Sequence, residues 1–184
     1  MKRKKEDPVF KFRFPRLVAI LVSIVALAAF FLPYISSTPE YAEYLEARGT
    51  EKVYESSDLT VGDMKEMSLV EYAKVYLQAG KEMYRDAATG IFYGVLIGLL
   101  AVFTLLELLF ALGKKPVPLI LFSLLTGGLF YLIEWDFADR GIMPNSDRVW
   151  GIAHQLYYPC AALLLICGIW MLTAKKKTKR QKKR

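Results

Sequence analysis

The sequence predicts an all-α integral membrane protein. We expect a four-transmembrane-helix bundle with cytoplasmic N- and C-termini and a partly helical extracellular loop between spans one and two. Two observations lead to this fold class: hydrophobic residues make up 54% of the 184 residues, and they are clustered, with charged segments of alternating net sign between and beyond the clusters. The apolar stretches are Leu17–Leu32, Gly90–Leu112, Val117–Ile133 and Ile152–Leu172.

The length of these stretches predicts where the chain crosses the bilayer. A helix of about 20 apolar residues spans a hydrocarbon core of roughly 30 Å. In lipid, only a helix satisfies its own backbone hydrogen bonds within one segment. The predicted organisation is a basic N-terminus (1–16), span one (17–36), an extracellular loop (37–88), span two (89–112), a turn (113–116), span three (117–134), a second extracellular loop (135–148), span four (149–173) and a basic tail (174–184).

The sign of the charge alternates from one connecting segment to the next. Residues 1–16 and 174–184 carry net charges of +5 and +8, whereas residues 37–88 and 134–150 carry −5 and −2. Short cytoplasmic segments collect Lys and Arg, so the basic ends and the turn at 113–116 are expected inside the cell. The basic segments therefore favour anchoring at anionic lipid over nucleic-acid binding.

The first span could also be read as a cleavable signal peptide, because a basic segment precedes its 16 apolar residues. Its length favours an uncleaved anchor; cleavage would leave three spans and a cytoplasmic C-terminus.

Two short helices are predicted in the first extracellular loop. Thr38-Pro39-Glu40 is a typical helix start, and Gly49 a typical stop, which predicts a helix over 39–48. Ser68 and Glu71 form a capping-box pattern before an apolar stripe, which predicts an amphipathic helix over 69–79. That stripe packs on the bundle or loop, or meets the membrane interface or a partner.

Small residues recur every four positions in span two, at Gly90, Gly94 and Gly98. Such a series lets a neighbouring helix approach closely in lipid. The neighbour belongs either to this chain or to a partner, so these residues are candidates for helix packing or for an interface.

Glu107 is the one acidic residue well inside an apolar stretch. A carboxylate there is costly, which makes it a candidate functional residue. Ser23 and Ser123, together with Cys167, are predicted at the same depth and would form a buried polar layer with it. Either Glu107 is a structural hydrogen-bonding group or it handles an ion or a proton.

A second group of polar and aromatic residues is predicted at the extracellular rim. Its members are Glu134, Trp135, Asp136, Trp150 and His154. Anchoring at the membrane interface explains this group better than a metal site, because His154 is the only histidine. The two cysteines, Cys160 and Cys167, are about 10 Å apart along one helix and too distant for a disulfide.

The sequence contains no paired catalytic groups and no cofactor motif, so we predict a non-enzymatic protein without cofactors. The layout is similar to that of claudins, but residues 37–88 contain neither the Trp nor the paired Cys that mark that family's first loop, so we do not assign the chain to it.

The predicted function is therefore protein–protein contact, as an accessory subunit, assembly factor or immunity-type partner. The expected partners are the lipid bilayer and another membrane protein or further copies of the chain, but not nucleic acid. The alternative is a small oligomeric transporter or proton-linked conduit that uses Glu107. The Lys-rich ends are typical of small membrane proteins of Gram-positive bacteria, which predicts a multi-pass protein of the bacterial plasma membrane.

Overall fold

The computed structural model describes residues 8–182, with side chains described for residues 12–175. The predicted basic segments are 1–16 and 174–184, and their outermost parts, residues 1–7 and 183–184, lie outside the described residues. Within the described part, the helices are α1 (Pro8–Ala29), α2 (Pro39–Ala47), α3 (Leu69–Tyr84), α4 (Ala87–Leu112), α5 (Pro116–Asp139) and α6 (Ile152–Lys182). The strands are β1 (Pro33–Ser37), β2 (Glu66–Ser68) and β3 (Arg148–Trp150), and a 3₁₀ turn covers Gly62–Lys65.

Four of these helices are long and apolar enough to cross a membrane. Their candidate spans are Phe12–Ala29, Ala87–Leu112, Pro116–Asp139 and Ile152–Lys175. Large apolar side chains on all four remain exposed on the outside of the bundle, as a lipid-facing surface requires. The prediction of a helical bundle with four apolar spans is thus confirmed in length and composition.

The first span ends earlier than the predicted boundary at residue 36. Helix α1 stops at Ala29, and the N–H groups of Phe30, Phe31 and Leu32 donate to the carbonyl oxygens three residues earlier. Pro33 has no N–H to donate, so the helix cannot continue through it. Residues 33–37 pair instead as the short strand β1, an element that was not predicted within the helical bundle.

This strand joins the two loops of one bundle end into an antiparallel sheet of order β2-β1-β3. Ile35 lies opposite Met67 on one side and Trp150 on the other. Strand β2 comes from the predicted first loop, whereas β3 covers the end of the predicted second loop and the start of the predicted fourth span; each is three residues long. We call residues 33–86 and 140–151 the cap.

Helix α3 fixes the cap to the bundle. Its capping box is formed: the Ser68 hydroxyl accepts from the Glu71 backbone N–H, and the Glu71 carboxylate accepts from the Ser68 N–H. The helix continues to Tyr84, five residues past the predicted end, and then turns through Arg85 into α4. Gly80 permits this continuation because its bare backbone packs against α4.

Helix α5 also exceeds its predicted end at residue 134 and runs to Asp139. Trp135 and Asp136, which were assigned to the second loop, are therefore helical. A bidentate pair between Asp136 and Arg140 holds this last turn, and Gly141, at φ 70°, follows it. At the other boundary, residues 149–150 of the predicted fourth span belong to β3, and α6 begins at Ile152.

The opposite end of the bundle carries exposed basic residues, and we call it the basic end. Lys114 and Lys115 lie in the turn between α4 and α5. Arg16 donates to the carbonyl oxygens of Ala111 and Leu112 at 3.2 and 3.0 Å. These carbonyls have no partner within α4, so Arg16 caps that helix and ties α1 to it.

The apolar interior is divided into two clusters. The cap-side core extends from the cap into the bundle and includes Phe30, Ile97, Leu100 and Phe130. The basic-end core contains Ala19, Ala111, Leu119, Leu164, Cys167 and Met171. On every spanning helix, the residues between these two clusters therefore mark one shared depth in the bundle.

Candidate functional site

Buried polar residues occupy the depth that separates the two apolar cores. They are Ser23 on α1, Thr104 and Glu107 on α4, and Ser123 and Thr126 on α5. Each is at most 3% exposed. We call these five residues the polar layer. Tyr157 and Cys160 of α6 are also buried and border the layer.

Three hydroxyls of the polar layer are satisfied within their own helices. Ser23, Thr104 and Ser123 donate to the carbonyl oxygens four residues earlier, at 2.9, 2.9 and 2.8 Å. Such back-bonding lets a hydroxyl sit in an apolar surrounding at little cost. These groups keep their lone pairs free to accept a further hydrogen bond.

Glu107, by contrast, makes no side-chain hydrogen bond within its own helix. Its side chain is fully buried, and neither carboxylate oxygen has a hydrogen-bond partner among the described residues. The Ser123 and Thr126 hydroxyls lie beside the carboxylate without reaching hydrogen-bonding geometry. Thr126 Oγ1 and the Tyr157 hydroxyl are likewise buried without a partner. The unsatisfied groups of the membrane interior thus gather around one acid.

The polar layer contains one acidic residue and no basic residue. No Lys, Arg or His belongs to the five-residue layer, and the bordering α6 residues are a tyrosine and a cysteine. A buried carboxylate without a cation is strongly disfavoured, because an unpaired charge loses its hydration. The chemistry available here is the uptake of one positive charge by Glu107, with hydroxyl groups as neighbouring ligands.

The structure places Glu107, Ser23 and Ser123, which were predicted at one depth, between the two cores. Cys167, which was also predicted at this depth, lies instead in the basic-end core. Sequence reasoning missed Thr104 and Thr126. Each lies three residues from a predicted member, so helical spacing could have revealed them. Tyr157 was missed because the sequence places it near the polar and aromatic residues of the extracellular rim.

The glycines of α4 divide into two kinds. A Cβ on Gly80 would meet Gly90 Cα at 2.7 Å, and a Cβ on Gly94 would meet Leu77 Cγ at 2.8 Å. Gly90 and Gly94 therefore pack against α3 of the same chain. Gly98, by contrast, is exposed and has nothing within 4 Å of its ideal Cβ position.

At the rim, Glu134 joins two residues of α6. His154 Nε2 lies 2.7 Å from Glu134 Oε1, and the Tyr158 hydroxyl donates to Glu134 Oε2. The His154 ring stacks on Trp150 with centroids 3.7 Å apart and an 8° angle between the planes. The structure thus brings together three predicted rim residues, Glu134, Trp150 and His154.

The other two predicted rim residues lie apart from that group. Trp135 is 66% exposed, which suits the membrane interface. Asp136 is buried and bonds Arg140, whose guanidinium carbon lies 4.1 and 4.3 Å from the ring centroids of Tyr84 and Tyr93. These contacts join α5, α3 and α4, so the Asp136–Arg140 pair holds the cap to the bundle.

Comparisons with known proteins leave the function to be argued from this geometry. No protein-family model matches the chain, and no curated protein or solved structure shows significant similarity to it. Among the described residues, no group of three or more His, Cys, Asp and Glu side chains is arranged to hold a metal ion.

Proposed function

We propose that this protein acts through protein–protein contacts, as an accessory subunit, assembly factor or immunity-type partner of another membrane protein. The observation that carries the proposal is the cap. Both loops contribute strands to one sheet, and α3 packs closely on α4 where Gly80 contacts Gly90. A segment that served only to connect spans would not need this ordered framework.

The exposed side of the cap has a composition that suits recognition. Glu40 and Glu43 of α2 are exposed and make no ion pair with any described residue. Tyr44 is 52% exposed, and its ring stacks on that of Tyr41 with centroids 5.8 Å apart. Tyrosine presents a rigid contact area with a polar tip, and acidic neighbours select a basic partner surface. We call Glu40, Glu43 and Tyr44 the α2 face.

The proposal includes a topology in which the cap faces outward from a bacterial plasma membrane, with both termini in the cytosol. The exposed Lys114 and Lys115 at the opposite end support it, because cytoplasmic turns collect positive charge. Impermeant maleimide labelling of intact cells tests this orientation. A Ser56→Cys variant should be labelled and a Lys114→Cys variant protected, while the native cysteines are buried.

The contact function is tested by purification from the native membrane in mild detergent, followed by mass spectrometry of the proteins that remain bound. We expect a stoichiometric membrane-protein partner that is lost from the variant Glu40→Lys/Glu43→Lys. The matched control, Glu55→Lys/Asp139→Lys, adds the same charge at other exposed positions of the chain. A partner retained equally by both variants would rule out the α2 face, and a chain isolated without any partner would rule out the contact function.

A second candidate function is favoured by the polar layer. A small oligomeric transporter or proton-linked conduit would use Glu107, whose carboxylate lies midway between two apolar cores without a partner. In proteoliposomes, this function predicts a proton or cation flux that Glu107→Gln abolishes. Flux at the wild-type rate in that variant would remove Glu107 from any transport mechanism.

A further inference from the structure

We propose that the polar layer is a binding site for a single proton, which is held on the buried Glu107 carboxylate, with the unpartnered hydroxyls of Thr126 and Tyr157 as its neighbours. The proposal concerns occupancy of a buried site and does not depend on the contact function of the cap. It would hold for a protein that transports nothing and for one that does.

The first argument concerns the buried polar atoms that lack hydrogen-bond partners. The two Glu107 oxygens, Thr126 Oγ1 and the Tyr157 hydroxyl all lack partners within the described residues. A protonated carboxyl group supplies one donor and keeps its acceptor capacity, so it can bond to neighbouring hydroxyls in both directions. An ionised carboxylate could also accept from these hydroxyls, but it would leave an uncompensated charge in the apolar interior.

The second argument is charge. Among the described residues, the groups packed around Glu107 carry no positive charge: Ser123 and Thr126 lie beside it on α5, Tyr157 and Cys160 lie near it on α6, and Ser23 lies at its depth on α1. Tyrosine and cysteine are neutral acids, and none of these residues supplies a cation. One added positive charge therefore makes the layer neutral, and a divalent ion would leave it charged again.

The third argument is the seal around the site. The basic-end core closes the layer on one side with Ala111, Leu119 and Leu164, and the cap-side core closes it on the other with Leu100 and Phe130. These apolar layers exclude water, so the charge on Glu107 cannot be stabilised by hydration. A proton also requires less room than a hydrated or partly hydrated metal ion.

Infrared spectroscopy of the full chain in lipid nanodiscs tests the proposal at neutral pH. The wild type should show the C=O stretching band of a protonated carboxylic acid, and Glu107→Gln should lose it completely. Glu134→Gln is the matched control, because it removes a membrane-rim carboxylate that bonds His154 and Tyr158. The band should survive that change.

Two further measurements keep the outcome decisive if a variant folds poorly. Tyr157→Phe and Thr126→Val retain Glu107 and should shift the frequency of the band without removing it. Replacement of choline chloride by sodium chloride should leave the wild-type band unchanged. A band that disappears with sodium would show that a metal cation neutralises the site, and absence of the band from the wild type would show that Glu107 is ionised. Either result overturns the proposal.

Discussion

Replacement of Gly90 by alanine tests the closest helix–helix contact of the cap, and Gly98 on the same helix provides its control. The ideal Cβ of Gly90 lies 2.6 Å from the carbonyl oxygen of Tyr76 on α3. The ideal Cβ of Gly98 meets nothing within 4 Å. The two substitutions are chemically identical and occupy positions two turns apart, so their difference isolates the contact with α3.

The expected magnitudes follow from two opposing effects. Alanine in place of glycine stabilises a helix interior by about 1 kcal/mol. At Gly90 the added methyl group must push backbone away, and overpacking of this kind costs roughly 1–3 kcal/mol. The helix-propensity effect is common to both sites. Gly98→Ala should therefore be neutral or stabilising, and Gly90→Ala should be less stable than Gly98→Ala by about 1–3 kcal/mol.

The assay is reversible unfolding in detergent, followed by tryptophan fluorescence, because Trp150 lies in the cap. Limited proteolysis of the cap provides a second readout, since a displaced α3 should expose the segment around residues 50–60. Equal stabilities of the Gly90→Ala and Gly98→Ala proteins would show that the close approach of α3 and α4 has no energetic consequence, contrary to this prediction.

Three other perturbations have definite expected outcomes. Arg16→Ala removes two hydrogen bonds to the end of α4 and should lower the free energy of unfolding by about 1–2 kcal/mol. Arg13→Ala, at an exposed position, is its control in the same unfolding assay. Ser68→Ala breaks the capping box and should lower the free energy of unfolding by about 1 kcal/mol in the same assay. An unchanged free energy of unfolding would contradict a role for the capping box in fixing α3. Burial raises the pKa of Tyr72 and of Tyr84 to about 12, so the folded state disfavours their ionised forms. Stability should therefore be intact below about pH 10 and fall as the pH rises towards 12. Ultraviolet titration of the wild type against Tyr72→Phe and Tyr84→Phe isolates the two phenolates, and the unfolding midpoint is followed over the same range. An ordinary pKa for Tyr72 and Tyr84 would contradict their burial.

Several features of the molecule were predictable because their causes are local in the chain. The capping box at Ser68 and Glu71 satisfies backbone groups within four residues, so its pattern indicates a helix start regardless of the surroundings. Glu107 stands out in the sequence for a similarly simple reason, since an acid inside an apolar stretch is costly wherever that stretch packs.

Other features depended on partners that are distant in the sequence. The early end of α1 needs Pro33, but the strand that follows it exists only because Met67 and Trp150 lie on either side of Ile35. The use of Gly90 and Gly94 was similarly open, because a small-residue series indicates a close neighbour without identifying it. That neighbour is α3, a helix outside the predicted spans.

The four apolar spans follow from the order of residues alone, because hydrocarbon thickness and backbone hydrogen bonding restrict each stretch independently. Which groups share one depth, and which remain without partners, depends instead on how the helices pack. Thr126 and Tyr157 join Glu107 through the packing of α4, α5 and α6, and the sheet joins loops that are more than 100 residues apart. The physical reason is that a buried group is satisfied or left unsatisfied by its neighbours in space, and these come from other elements of the chain.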